Sequence, residues 1–185
     1  MPQKVTFYLF LALAIHCVYS TPSDDLLKKK NSEYPTWIEA NGRINDPKAI
    51  TIGEFQNSKN PVICRLVTSD GLIPGTADPA SGVCTAIWNN AVVTSSHFEY
   101  LSGPLGRLDW AESNRGNIPT GAVIGGITND DRKIYIVRLA KDKNSVETYY
   151  GGGITKGDRS GSVFKEGKAF TTPTYEVLCL TTIII

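Results

Sequence analysis

The chain has 185 residues, 41% of them hydrophobic, with 19 Lys and Arg against 18 Asp and Glu. This near-neutral balance excludes the basic excess that a nucleic acid or an anionic membrane surface would demand. Four cysteines and two histidines are too few for a disulfide scaffold and offer little for metal or nucleophilic chemistry.

Residues 1–20 read as a secretory signal peptide: Lys4, an apolar stretch from Val5 to Ile15, then small residues at Val18 and Ser20 ahead of Thr21. The stretch is shorter than the about 20 apolar residues that span a bilayer, so an extracellular, secreted protein without membrane insertion is expected. Cleavage removes Lys4 alone among the charged residues, together with His16 and Cys17. Residues 21–35, with Asp24, Asp25 and the triplet Lys28-Lys29-Lys30, suit a flexible arm. Cys64, Cys84 and Cys179 remain, in a compartment where disulfides persist. One bridge can form within the chain, and the third cysteine is either a buried thiol or a link between two chains of a homodimer.

From Trp37 onward the chain repeats itself at an offset of about 73 residues, the length of a small folding unit. Trp37, Glu39, Asn41, Ala49, Gly53, Ile63, Arg65 and Leu66 fall on Trp110, Glu112, Asn114, Ala122, Gly126, Ile136, Arg138 and Leu139. Extra residues around 147–153 shift the register, so that Phe98-Glu99-Tyr100-Leu101 answers Tyr175-Glu176-Val177-Leu178 at about 77. Two repeats follow, 36–103 and 108–180, with a tail at 181–185.

Within each repeat the runs are short, β-branched or aromatic, and bounded by turn residues. Val62 to Val67 and its copy Ile134 to Leu139 read as strands. Alternation puts Val62, Cys64 and Leu66 on a core face, and Tyr135, Val137 and Leu139 in the copy. Arg65 and Arg138 take the opposite face beside Ile63 and Ile136, where an ion pair with a neighbouring acid is the expected use and a ligand contact the alternative. Turns at Asn41-Gly42, Asp70-Gly71, Asn89-Asn90 and Glu166-Gly167 indicate antiparallel hairpins, and no window carries a sustained helical period. The expected fold is all-β: two tandem, pseudo-twofold-related antiparallel modules packed together.

Candidates for chemistry are few. His97 is the sole histidine past the signal, and a strand end explains its place, so no catalytic residue and no enzyme activity is expected. Gly151-Gly152-Gly153 with Ile154, Thr155, Lys156 and Gly157 lacks the ending of a phosphate loop and reads as a mobile hairpin loop. Asn129-Asp130-Asp131 has oxygen ligands without calcium-loop spacing, and no metal or cofactor is expected. Trp37 and Trp110 read as anchors of the first strand of each repeat. Trp88, without a partner in the copy and beside the Asn89-Asn90 turn, is placed as an aromatic near a loop tip that can stack on a sugar.

The second repeat carries Trp110 with Gly116-Asn117-Ile118-Pro119, Gly121-Ala122-Val123, Gly125-Gly126, Ile134 to Arg138 and Tyr175 to Leu178. The first adds Gly71-Leu72-Ile73-Pro74-Gly75 and Gly82-Val83-Cys84. Together these pieces resemble the DM-nine repeat family. Relatives include mannose-binding, lectin-like pattern-recognition proteins and the N-terminal part of natterin-like proteins. The resemblance implies two packed sheets that can exchange a terminal strand, and a sugar held between the repeats by an acidic residue after the Gly-Gly turn and a lysine after Pro-Gly. Here Thr76 occupies the lysine position, with Thr155 its approximate counterpart and Lys156 one place late.

The expected function is a secreted carbohydrate-binding protein of innate recognition. A glycan of mannose type would be contacted by Asp130, Asp131 and Lys156 from the second repeat and by Glu54 and Thr76 from the first. The competing expectation is a secreted structural protein, or a salivary or venom effector, with a degenerate sugar site. Pore formation is not expected, because the chain ends at Ile185 with no room for a separate pore-forming domain.

Overall fold

A computed structural model describes residues 34–53, 60–139 and 150–181. The signal segment, the arm apart from Tyr34 and Pro35, Glu54, and the tail beyond Thr181 lie outside the described residues.

The described chain is all-β, as its composition predicts. Its strands are β1 (Thr36–Asn41), β2 (Val62–Thr68), β3 (Gly71–Asp78), β4 (Val83–Trp88), β5 (Ala91–Ser95) and β6 (His97–Ser102). After a single 3-10 turn at Leu105–Arg107 come β7 (Leu108–Asn114), β8 (Ile124–Thr128), β9 (Lys133–Leu139), β10 (Gly151–Thr155), β11 (Gly161–Lys165), β12 (Lys168–Thr172) and β13 (Thr174–Leu180). All thirteen belong to one antiparallel sheet rather than to two separate ones.

The two halves of the chain use the same sequence of partners. In the first, β1 pairs β6, β6 pairs β2, and β2 leads through β3 and β4 to β5. In the second, β7 pairs β13, β13 pairs β9, and β9 leads through β10 and β11 to β12. Strand β8 joins them, pairing β3 at Gly71↔Thr128 and Leu72↔Ile127 on one side and β9 on the other. Even the isolated bridges match, Ala49↔Ser102 in one half and Ala122↔Cys179 in the other.

Burial follows the predicted alternation and then exceeds it. Val62, Cys64 and Leu66 are buried in the core of the first half; in the second Val137 alone of the predicted three is fully buried, with Tyr135 packed against that core and Leu139 half-buried. The opposite face is buried as well: Ile63 and Ile136 are 0% and 1% exposed and meet in a central cluster with Ile50, Ile52, Leu101 and Leu178. This shared layer takes residues from both halves, which is why β2 and β9 are apolar on both sides.

Arg65 and Arg138 sit at the border of that layer. The Arg65 Nε donates to Glu99 at 2.5 Å and the Arg138 Nε to Glu176 at 2.5 Å, each pair being cross-strand neighbours. Each guanidinium also covers a tryptophan ring, Trp37 at 4.3 Å and Trp110 at 4.4 Å. The expected ion pairs are therefore present, and the anchor tryptophans are held by stacked arginines. Arg138 reaches further, its Nη1 donating to the Ile52 carbonyl at 3.0 Å and tying the halves together.

Cys64 and Cys84 form the disulfide, bracing β2 to β4 across β3. Cys179 is the buried free thiol, and burial raises its pKa, so it is neither exposed nor readily ionised as a link to another chain.

The glycine-rich run corrects the loop expectation. Gly151 to Thr155 is β10, an interior strand paired on both edges. A Cβ on Gly152 would lie 2.0 Å from the Ser162 carbonyl oxygen, and one on Gly151 2.5 Å from Thr76 Cγ2. Glycine here serves close approach of β10 to β11 and β3 rather than mobility, and the turn begins only at Lys156.

Candidate functional site

The hairpin between β4 and β5 is closed by Asn89 and Asn90, with φ of 49° and 61°. Positive φ at both central residues makes the tight turn whose twist matches its strands, and asparagine tolerates that conformation. The turn places Trp88 opposite Ala91 at the end of β4. There the indole Nε1–H donates to Asp70 Oδ2 at 2.6 Å, which fixes the ring over the β2–β3 turn. That turn is held in its place by the start of the β8–β9 turn: Asn129 donates its side-chain amide to the Ser69 carbonyl at 2.5 Å and its backbone N–H to the Asp70 carbonyl at 2.9 Å.

Beside Trp88 opens a cleft of about 510 Å³ at the seam of the two halves. The first half contributes Ile73, Ile87, Trp88, Asn89 and Asn90. From the second come Arg132 of the β8–β9 turn, Ile134 of β9, Gly153 and Thr155 of β10, the loop Asp158-Arg159-Ser160, then Ser162 and Thr171. Its floor is apolar through Ile73 and Ile134, both 2% exposed. The walls are polar, with amides, hydroxyls and three charged groups. Arg132 is positioned by Asp130, whose Oδ2 accepts from its Nε at 2.7 Å. The Thr128 hydroxyl also donates to Asp130, and this bond, followed by Arg132, holds the Asp130 carboxyl below its ordinary pKa. Asp158 and Arg159 face the cleft without a side-chain partner among the described residues, as do the amides of Asn89 and Asn90. An apolar floor with an aromatic wall and unengaged donors and acceptors, in a cavity of this volume, is suited to a small polyhydroxylated ligand.

The sequence-derived site residues fall around this cleft rather than in it. Asp130 acts on the lining through Arg132, while Asp131 is an exposed turn residue with φ of 61°. Lys156 is exposed just past Thr155, and its backbone N–H donates to the Lys133 carbonyl at 2.8 Å. Thr76 lies half-buried on β3 against Gly151. Its counterpart by register is Gly153 rather than Thr155, because Thr76 pairs Ile63 and Gly153 pairs Ile136. Glu54 lies outside the described residues. Among the predicted candidates, Trp88 is the one the structure puts in the cleft wall. Asp158 and Arg159, just past the glycine-rich run, were not singled out by the sequence.

His97 is exposed at the start of β6, where its backbone N–H donates to the Ser95 hydroxyl at 3.0 Å. Among the described residues no three His, Cys, Asp or Glu side chains gather to hold a metal, and no helix is long and apolar enough to cross a membrane.

A family model, the DM9 repeat, matches residues 56–148, half of the chain, from just ahead of β2 to beyond β9. The match runs from the first half of the chain into the second and does not follow the repeat bounds expected from the sequence. No curated protein matches the chain.

Proposed function

Because the chain belongs to the DM9 repeat family, we propose that it is a lectin-like carbohydrate-binding protein whose glycan sits in the seam cleft. Family membership suggests the sugar, and the cleft supplies a place for it. The observation that carries the reading is the combination of Trp88, fixed through Asp70, with the unengaged Asn89, Asn90, Asp158 and Arg159. A pyranose stacks its apolar face on the indole while its hydroxyls meet the amides and charges. Secretion, suggested by the signal-like N-terminus, and a non-enzymatic role in innate recognition complete the reading. So does an approximate twofold relation between the halves, supported by their matched strand partners. Mannose-type glycans are the first to test.

The experiment is a glycan array with residues 21–185, repeated with Trp88→Ala. Signal that disappears with the indole supports the cleft. An unchanged signal with Trp88→Ala but loss with Lys156→Ala would move the site to Asp130, Asp131, Lys156, Glu54 and Thr76. The second reading, a secreted structural or effector protein with a degenerate site, is favoured by Thr76 in the lysine position. Silence across the array together with capture of a defined protein partner would support it.

A further inference from the structure

We infer that the cleft selects an acidic sugar, a pyranose bearing a carboxylate or sulfate, whose oxyanion is met by Arg159; this rests on the carbohydrate reading above. Three charged side chains line the cleft: Arg132, Asp158 and Arg159. Two further carboxylates stand behind it, and both are engaged, Asp130 with Arg132 and the Thr128 hydroxyl, Asp70 with the Trp88 indole. The lining itself therefore carries two cations against one anion. Arg132 has committed its Nε to Asp130, whereas Arg159 makes no ion pair or side-chain hydrogen bond among the described residues.

A guanidinium presents a planar fork of donors that fits a carboxylate or sulfate at two points, a match that neutral hydroxyls do not supply. Asp158, an acceptor when ionised, takes a sugar hydroxyl as donor. The loop that carries both residues is held in place from outside the cleft. Gly116, with φ of +86°, packs beneath it so closely that a Cβ there would lie 2.5 Å from the Asp158 carbonyl oxygen. Carboxylate and sulfate share this chemistry, so matched sugars must separate them.

The test is calorimetric titration of residues 21–185 with two pairs of sugars: methyl glucuronide against methyl glucoside, and galactose 3-sulfate against galactose. The acidic member of at least one pair should bind roughly tenfold more tightly than its neutral twin, as a charge-assisted bond implies. The preferred pair identifies the oxyanion. Arg159→Gln should bring the two members level, Lys156→Gln should leave the preference in place, and the preference should shrink as salt rises. Equal binding within both pairs, or a preference that survives Arg159→Gln, overturns the inference and leaves the carbohydrate reading standing. No binding by any of the four sugars overturns the inference and counts against that reading too.

Discussion

The two halves of the sheet agree where they touch and differ where they face outward. Both carry the same clamp of tryptophan, arginine and glutamate at the shared layer, with nearly identical spacings. At the hairpin tips the likeness ends. The position answering Trp88 is Lys165, whose ammonium lies 5.5 Å from Tyr150 and 5.4 Å from Phe170, and the Asn89-Asn90 turn is answered by Glu166-Gly167. The Tyr150 hydroxyl reaches Glu166. The second tip thus engages its own polar groups, while the first leaves its amides open toward the seam. The halves share the packing at the layer between them and differ at the tips.

The core carries a second asymmetry. Cys64 and Cys84 are answered by Val137 and Gly161, where a Cβ on Gly161 would stand 3.1 Å from Val137 Cγ2. A covalent brace in the first half corresponds to a methyl group filling a glycine's space in the second. Replacing both Cys64 and Cys84 by Ala should therefore cost about 3 kcal/mol in denaturant unfolding, as loop closure of this length implies. A loss near zero would mean that packing alone holds β4.

The clamps give a graded comparison. Arg138→Ala should cost about 3 kcal/mol and Arg65→Ala about 2 kcal/mol, because the Arg138 pair is less exposed and also bonds the Ile52 carbonyl. Equal losses in urea titrations would remove the special role of Arg138 in joining the halves. At the tips, Trp88→Ala should weaken glycan binding roughly tenfold while Lys165→Ala leaves it unchanged.

The smallest effect concerns pH. Asp46 accepts from the Ser102 hydroxyl at 2.6 Å and from the Lys48 backbone N–H at 2.8 Å, and these bonds lower its pKa from the ordinary 3.8. Because the folded value is depressed, the stabilisation is full above the ordinary value and fades as pH falls through the lowered one. Asp46→Asn should be less stable than the parent near neutrality and converge with it in acid, read from unfolding curves at several pH values. A gap of constant size would contradict this sign.

Much of this was legible from residue types. The repeated Arg65 and Arg138 announced a pair of ion pairs, because a cation at the same alternating position twice calls for a partner twice; that the acids are Glu99 and Glu176, and that the arginines cover Trp37 and Trp110, needed the strand pairing. Strand β10 was hidden, since three glycines carry neither β-branching nor alternation and their role appears only when β3 lies against them. Asp158 and Arg159 were hidden for a related reason: nothing local joins their loop to Trp88, some 70 residues earlier. Trp88 stood out because it broke the repeat, and a departure from duplicated packing is where a function can reside.

The most direct measurement is the set of indole N–H resonances of the three tryptophans, followed by NMR while methyl mannoside and methyl glucuronide are added in turn. The account predicts that the Trp88 signal moves with the sugar that binds while those of Trp37 and Trp110, locked under arginines, stay still. A stationary Trp88 signal under saturating sugar, with shifts gathered elsewhere, would contradict it.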